Sequence, residues 1–223
     1  WTQQTKLSAR EGKSQDFGRT VTLSGDGSTG LIGDGMTDNP NGEDAGTVYV
    51  FARTGGTWSQ QSKLFASDGD SNDSFGRAVA VSQDGSTAII GAEDDEDPNG
   101  GHSGSAYAFT RSGGSWTQQS KLVAADGDNE DAFGTSVAVS YDGSTVVIGA
   151  RDDEDPNGEY AGSAYVFTRT DESWTQQAKL SAEQGNTYTA FGDSVSIAGD
   201  GTTTVIGAGS AGNGAGSAYI FGS

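Results

Sequence analysis

Cysteine is absent from the 223 residues, and histidine, methionine and proline occur once, once and three times. Without a thiol there is no disulfide framework, no cysteine nucleophile and no Cys-ligated zinc. A lone histidine, His102, leaves almost no room for zinc hydrolase sites or Ser-His-Asp chemistry. Basic residues are scarce too: 12 Lys and Arg stand against 31 Asp and Glu, a formal charge of −19. Such a polyanion is not expected to bind nucleic acid, because that affinity rests on Lys and Arg displacing counterions. It is not expected to dock on anionic lipid either. No apolar run approaches the roughly 18 residues of a membrane span, so no membrane insertion is expected. Trp1 stands where an initiator Met would, so the chain is expected to be a processed or trimmed product.

What the chain has in abundance is glycine, 36 residues of it, and repetition. Trp1, Trp58, Trp116 and Trp174 open the segments WTQQTKL, WSQQSKL, WTQQSKL and WTQQAKL. Phe-Gly recurs at Phe17, Phe75, Phe133 and Phe191, Asp-Gly at Asp26, Asp84, Asp142 and Asp200, and Ile-Gly at Ile32, Ile90, Ile148 and Ile206. Four copies of one unit, 1–57, 58–115, 116–173 and 174–223, therefore fill a single domain, 1–223, with the last copy shortened.

Each copy holds four short stretches rich in β-branched and aromatic residues, separated by Gly, Asp, Asn and Ser clusters, with no helical spacing. In the second copy these are Trp58–Phe65, Phe75–Ser82, Thr87–Ala92 and Ser105–Arg111. Asp84-Gly85 and Gly113-Gly114 supply the tight turns. One four-stranded antiparallel meander per repeat, four times over, predicts an all-β fold, a β-propeller of four four-stranded blades. The Phe-Gly stretch carries Gly and Ala on one parity, which suits the crowded innermost strand, a. The stretches at Thr87 and Ser105 become strands b and c. The Trp stretch, polar and carrying Lys63, reads as the solvent-facing edge strand, d. Phe75, Tyr107, Phe109 and Trp116, with their equivalents, are expected to fill the space between blades.

With this labelling the chain begins on a d strand and ends on a c strand at Ser217–Phe221. The first reading is that the N-terminal strand completes the last blade and locks a ring. Two alternatives stay open: the strand is donated to a neighbouring subunit, giving a head-to-tail filament, or two chains share one eight-bladed ring.

The residues Phe-Gly-x-x-Val-Ala-Val, Asp-Gly and Ile-Gly-Ala resemble the FG-GAP repeat of integrin α-subunit propellers and many secreted microbial proteins. The match is clearest at Phe75–Val81 with Ile90-Gly91-Ala92, and at Phe133–Val139 with Ile148-Gly149-Ala150. The resemblance implies a propeller in an extracellular or cell-surface, adhesive or recognition setting. The final Pro of the family motif is replaced by Glu93, Arg151 and Gly209. The family's calcium site lies in a longer loop between the first two strands, here shrunk to Ser-Gln-Asp-Gly or its equivalent, so that site does not carry over.

Loops a–b and c–d emerge on one face of such a ring and loops b–c and d–a on the other, which places 24 of the 31 acids on the second face. Crowded carboxylates repel unless something screens them. One reading is hard-cation binding: Asp68, Asp70 and Asp73, or Asp126, Asp128 and Asp131, offer oxygen ligands on a glycine-bent loop, as Ca²⁺ prefers. Asp94, Asp95 and Asp97, or Asp152, Asp153 and Asp155, would complete those shells. The others are adaptation to high salt, to which few Lys beside many Asp is suited, and a merely solvated acidic face. Residues 207–216 replace an acidic loop with small residues, either as drift in a terminal repeat or as a contact surface.

No catalytic set emerges. His102 has no counterpart in other repeats, Gly-x-Ser-x-Gly is absent, and the carboxylates sit in solvent loops rather than in an apolar pocket that would raise a general acid. The expectation is therefore no enzyme but an adhesion or assembly module, structural or interacting, whose partners are other proteins or copies of itself and whose acidic face holds Ca²⁺. The alternative is a lectin-like propeller that recognises glycans.

Overall fold

The computed structural model describes residues 1–9, 16–96, 99–154, 158–183, 187–210 and 215–223. It is all β, and no described helix is long and apolar enough to cross a membrane. The first sheet runs β1 (Thr20–Leu23), β2 (Thr29–Asp34), β3 (Thr47–Thr54) and β4 (Thr57–Leu64). The second runs β5 (Ala78–Val81), β6 (Thr87–Ala92), β7 (Ser105–Ser112) and β8 (Ser115–Leu122). The third runs β9 (Phe133–Val139), β10 (Thr145–Ala150), β11 (Ser163–Thr170) and β12 (Ser173–Leu180). The fourth has three strands, β13 (Phe191–Ile197), β14 (Thr203–Ala208) and β15 (Ser217–Gly222). Every neighbouring pair is antiparallel and in chain order, so each sheet is the meander that the repeat predicts.

The a strands lie innermost. β1 packs beside β5, β5 beside β9 and β9 beside β13, and the glycines of both motifs make that approach feasible. A methyl group on Gly33, Gly91 or Gly149 would overlap the carbonyl oxygen of Gly76, Gly134 or Gly192 in the next sheet. Ile-Gly and Phe-Gly are thus two halves of one backbone contact, each tolerating the other because neither carries a Cβ. On the inner rim the a–b turns are linked in series: Gly25 N–H donates to the Gln83 carbonyl (2.8 Å), Gln83 N–H to Tyr141 (3.0 Å) and Tyr141 N–H to Gly199 (3.0 Å).

The core lies between sheets. Leu31, Val48 and Val50 of the first sheet bury against Phe75, Ile90, Tyr107 and Phe109 of the second, with Trp116 half-buried on the same cluster. The next interface repeats this with Ile89, Ala106 and Ala108 against Phe133, Ile148, Tyr165 and Phe167. The third joins Val147 and Ala164 to Phe191, Ile206 and Ala208. Within each sheet the strand-a Phe meets the strand-c Tyr and Phe edge-on or tilted, as Phe75 does Tyr107 (5.5 Å) and Phe109 (6.0 Å), a favoured arrangement for aromatic quadrupoles.

The expected locking of a four-bladed ring is not formed. Residues 1–9 carry no strand, and β15 pairs with β14 alone. Leu7 and Ala9 rest on Ile32, Tyr49 and Phe51 of the first sheet, while Trp1 is fully exposed. Among the described residues no apolar cluster joins the first sheet to the fourth. The four blades form an arc.

Candidate functional site: the acidic loop face

The b–c and d–a loops do share one face. Backbone hydrogen bonds tie each b–c loop to the d–a loop that follows it: Asn72 N–H to Glu43 O, Glu130 N–H to Gly101 O and Tyr188 N–H to Glu159 O, all 2.9 Å. The donors Asn72, Glu130 and Tyr188 all sit at positive φ (71°, 68° and 65°). A conformation repeated in three blades belongs to the loop junction, not to one special site.

On this face the carboxylates divide into two populations. In the second blade Asp95 is buried, and the Lys121 ammonium sits 3.0 Å from its Oδ2 and 3.2 Å from Oδ2 of Asp68. The Tyr107 hydroxyl donates to Asp95 Oδ2 at 2.6 Å. The third blade repeats the cluster: Lys179 lies 3.0 Å from Asp153 and 2.9 Å from Asp126, and Tyr165 donates to Asp153 at 2.5 Å. Each lysine also lies over its tyrosine ring, 5.5 and 5.4 Å from the centroid. The lysine of strand d is therefore not the solvent-facing residue expected of an edge. It turns inward as a built-in counterion.

Asp73 and Asp131 form a second buried pair of positions. Their Oδ2 atoms accept the N–H of Asp70 (2.6 Å) and of Asp128 (2.7 Å), closing each loop on itself. Burial pushes Asp73 up to about 6 and Asp131 up to about 7, aided by the charges of Asp95 and Asp153 and opposed by these N–H groups. For Asp126 burial pulls upward but the hydrogen bond and charge of Lys179 outweigh it, so its carboxyl falls below the ordinary value. Lys179 in turn is raised, because Asp126 and Asp153 more than offset its own burial. Burial, reinforced by the adjacent carboxylates, raises Tyr107 and Tyr165, which stay protonated donors.

The remaining expected ligands lie apart. Asp94 accepts from Ser74 Oγ (2.7 Å) and faces His102 Nδ1 (3.4 Å), and Asp152 pairs with Arg151 (3.2 Å). Asp97 and Asp155 fall outside the described residues. Asp68, Asp70, Asp73, Asp95 and Glu96 line a cleft of about 250 Å³. Among the described residues, however, no three acids are grouped so that they could hold a metal ion. The lysine ammonium takes the point where the buried carboxylates converge, so an inner-sphere ion does not fit there. Among the described residues the first blade lacks the arrangement: Thr37 stands at the Asp95 position, and Lys63 lies over the Tyr49 ring, 5.4 Å away.

Blades of consecutive antiparallel meanders packed around an inner row of a strands define a β-propeller. A structural likeness agrees: the β-propeller domain of Cps50 (Swd1) from Myceliophteria thermophila overlays with a TM-score of 0.57 at 10% identity, covering 92% of this chain and 52% of that one. The chain thus spans about half the length of that propeller. The FG-GAP repeat model matches residues 1–51, 58–109, 116–167 and 174–221, and the chain belongs to the FG-GAP repeat family. No curated protein matches it.

Proposed function

We propose that the chain is a non-catalytic interaction module of the adhesion or assembly type, working outside the cell or on its surface. The observation that supports this reading is the division of the acidic face. The buried acids Asp95 and Asp153 are neutralised by Lys121 and Lys179 and serve the fold. The exposed rim, including Asp70, Glu96, Asp128, Glu130 and Glu154, is left facing solvent on a rigid scaffold. A rim of solvent-facing carboxylates with no cationic side chain on them among the described residues recognises cationic partners, directly or through divalent ions that it shares with them. In this reading Ca²⁺ acts at the rim, with most of its water retained, and quiets the repulsion of a −19 chain. The experiment is thermal melting in millimolar Ca²⁺ against NaCl of equal ionic strength. A distinctly larger rise with Ca²⁺ supports site binding at the rim, and identical rises reduce the effect to screening.

A second reading, glycan recognition, rests on one feature. Tyr160 and Tyr188 stack with centroids 5.4 Å apart and planes 17° from parallel, beside Asp152 and Ser210 on the same face. Their equivalents at the junction of the second and third blades are His102 and Glu130, so the aromatic platform is particular to the junction of the third and fourth blades. Binding on a glycan array that Tyr188→Ala abolishes would favour it.

A further inference from the structure

The junction of the third and fourth blades carries two aromatic residues that its backbone does not require. Tyr188 N–H donates to the Glu159 carbonyl (2.9 Å), Ala190 N–H to that of Tyr160 (3.2 Å) and Phe191 N–H to that of Ala161 (2.9 Å). The same three bonds form at the two earlier junctions, where Asp44 and Asn72, or His102 and Glu130, stand in place of the tyrosines. Tyr160 and Tyr188 lie at φ 54° and 65°, a region that suits Asn, Asp and His better than a bulky ring. Tyr188 is also 58% exposed, so it gains little from burial. Neither the loop ladder nor the core accounts for the pair.

The surroundings say what the pair can hold. Stacking on Tyr160 fixes the Tyr188 ring, and the two border a cleft of about 340 Å³ with Asp152, Ala190 and Ser210. That volume lies at the small end of ligand sites, about 300–1,000 Å³. Both walls belong to the third and fourth blades, and the ladder bonds hold them in place. The Tyr160 hydroxyl donates to Glu130 Oε2 at 3.5 Å and the Tyr188 hydroxyl to Glu159 Oε2 at 3.4 Å, bonds long enough for a ligand hydroxyl to replace. Asp152 is answered by Arg151 at 3.2 Å, whereas no cationic side chain lies on Glu130 or Glu159 among the described residues. The cleft thus joins an aromatic face, hydroxyls that both donate and accept, and two carboxylates without a countercharge.

We propose that this cleft binds a sugar that carries a free amine, with the pyranose ring on Tyr188 and the ammonium toward Glu130 and Glu159. This rests on the glycan reading of the same tyrosine pair and adds the charge that the sugar must carry. The negative face of the phenol ring attracts the polarised C–H groups of a pyranose, and a nearby ammonium more strongly. Ser210 and the two tyrosine hydroxyls answer sugar hydroxyls, which donate and accept in turn. A lysine or arginine side chain only donates and would leave those hydroxyls without a partner. Uronic, sialic and sulfated sugars are repelled by a chain of formal charge −19.

The test is calorimetric titration of the 223-residue chain at pH 6, where the amine is charged, with a glucosamine trimer, its N-acetylated counterpart and trilysine. The free-amine trimer is expected to bind, and the acetylated trimer to bind about tenfold more weakly, because it lacks the charge-assisted bonds. Tyr188→Asn, which places there the residue that the first junction carries as Asn72 at φ 71°, is expected to melt as wild type does. It should weaken the free-amine trimer about tenfold and leave trilysine unchanged. Glu130→Gln combined with Glu159→Gln should bring the two sugars to similar affinities. If neither sugar binds, the glycan reading and the proposal both fall. Equal binding of the two sugars, lost in Tyr188→Asn, keeps the glycan reading and overturns the amine. Binding of the free-amine trimer that ignores Tyr188→Asn, or that trilysine matches, overturns the site and leaves only attraction to the acidic rim.

Discussion

Lys121 and Lys63 occupy the same place in consecutive repeats, yet the structure assigns them different energies. The side chain of Asp95 is 5% exposed, and without Lys121 it keeps the Tyr107 hydroxyl as a neutral donor in place of a countercharge. Removing one partner of a buried ion pair costs about 3–5 kcal/mol, because the other charge stays buried. The lysine side chain is 16% exposed, so some water already reaches the pair, and the lower end of the range applies. Lys121→Met is therefore expected to cost about 3 kcal/mol, or about 6–12 °C in melting temperature for a chain of this size. Lys63→Met loses only a cation–ring contact, worth about 0.5–1 kcal/mol. Urea unfolding at pH 7 gives both values. Adding Asp95→Asn should recover most of the loss. Equal costs for the two lysine variants would refute the counterion assignment.

Three further outcomes are expected. Asp131 is raised to about 7, so its charged form is disfavoured in the fold, and that penalty grows as pH climbs from the ordinary value through 7. Asp131→Asn should accordingly gain about 1–2 kcal/mol over wild type at pH 8, after allowing for solvent screening, and nothing at pH 4, read from urea midpoints. Gly91→Ala should cost more than about 3 kcal/mol or prevent folding, because its methyl meets the fixed carbonyl of Gly134. Gly101→Ala, with open space around its Cβ position, should change stability by under about 0.5 kcal/mol in the same assay.

Much of this architecture was legible because period and register repeat together. The Phe-Gly stretch was readable as the inner strand from its small residues, and Phe75, Tyr107, Phe109 and Trp116 lie between blades as their pattern required. Its start was not uniformly readable: β5 begins only at Ala78, whereas β9 and β13 begin at Phe133 and Phe191. The acidic face was readable from loop parity. The division within it was not, because the pairing of Lys121 with Asp68 and Asp95 joins residues 53 and 26 positions away, and no local pattern marks a lysine that folds inward. Ring closure was misjudged for a related reason. The sequence identifies a d strand without a sheet, but the curvature of the sheets decides whether its own chain can reach.

The series of amides along the inner rim, from Gly25 to Gly199, has a mechanical meaning. Each link holds only adjacent sheets, and among the described residues no apolar cluster joins the first sheet to the fourth, so a pull between the ends loads every junction equally. Resistance is then a nearest-neighbour property, as in linear arrays.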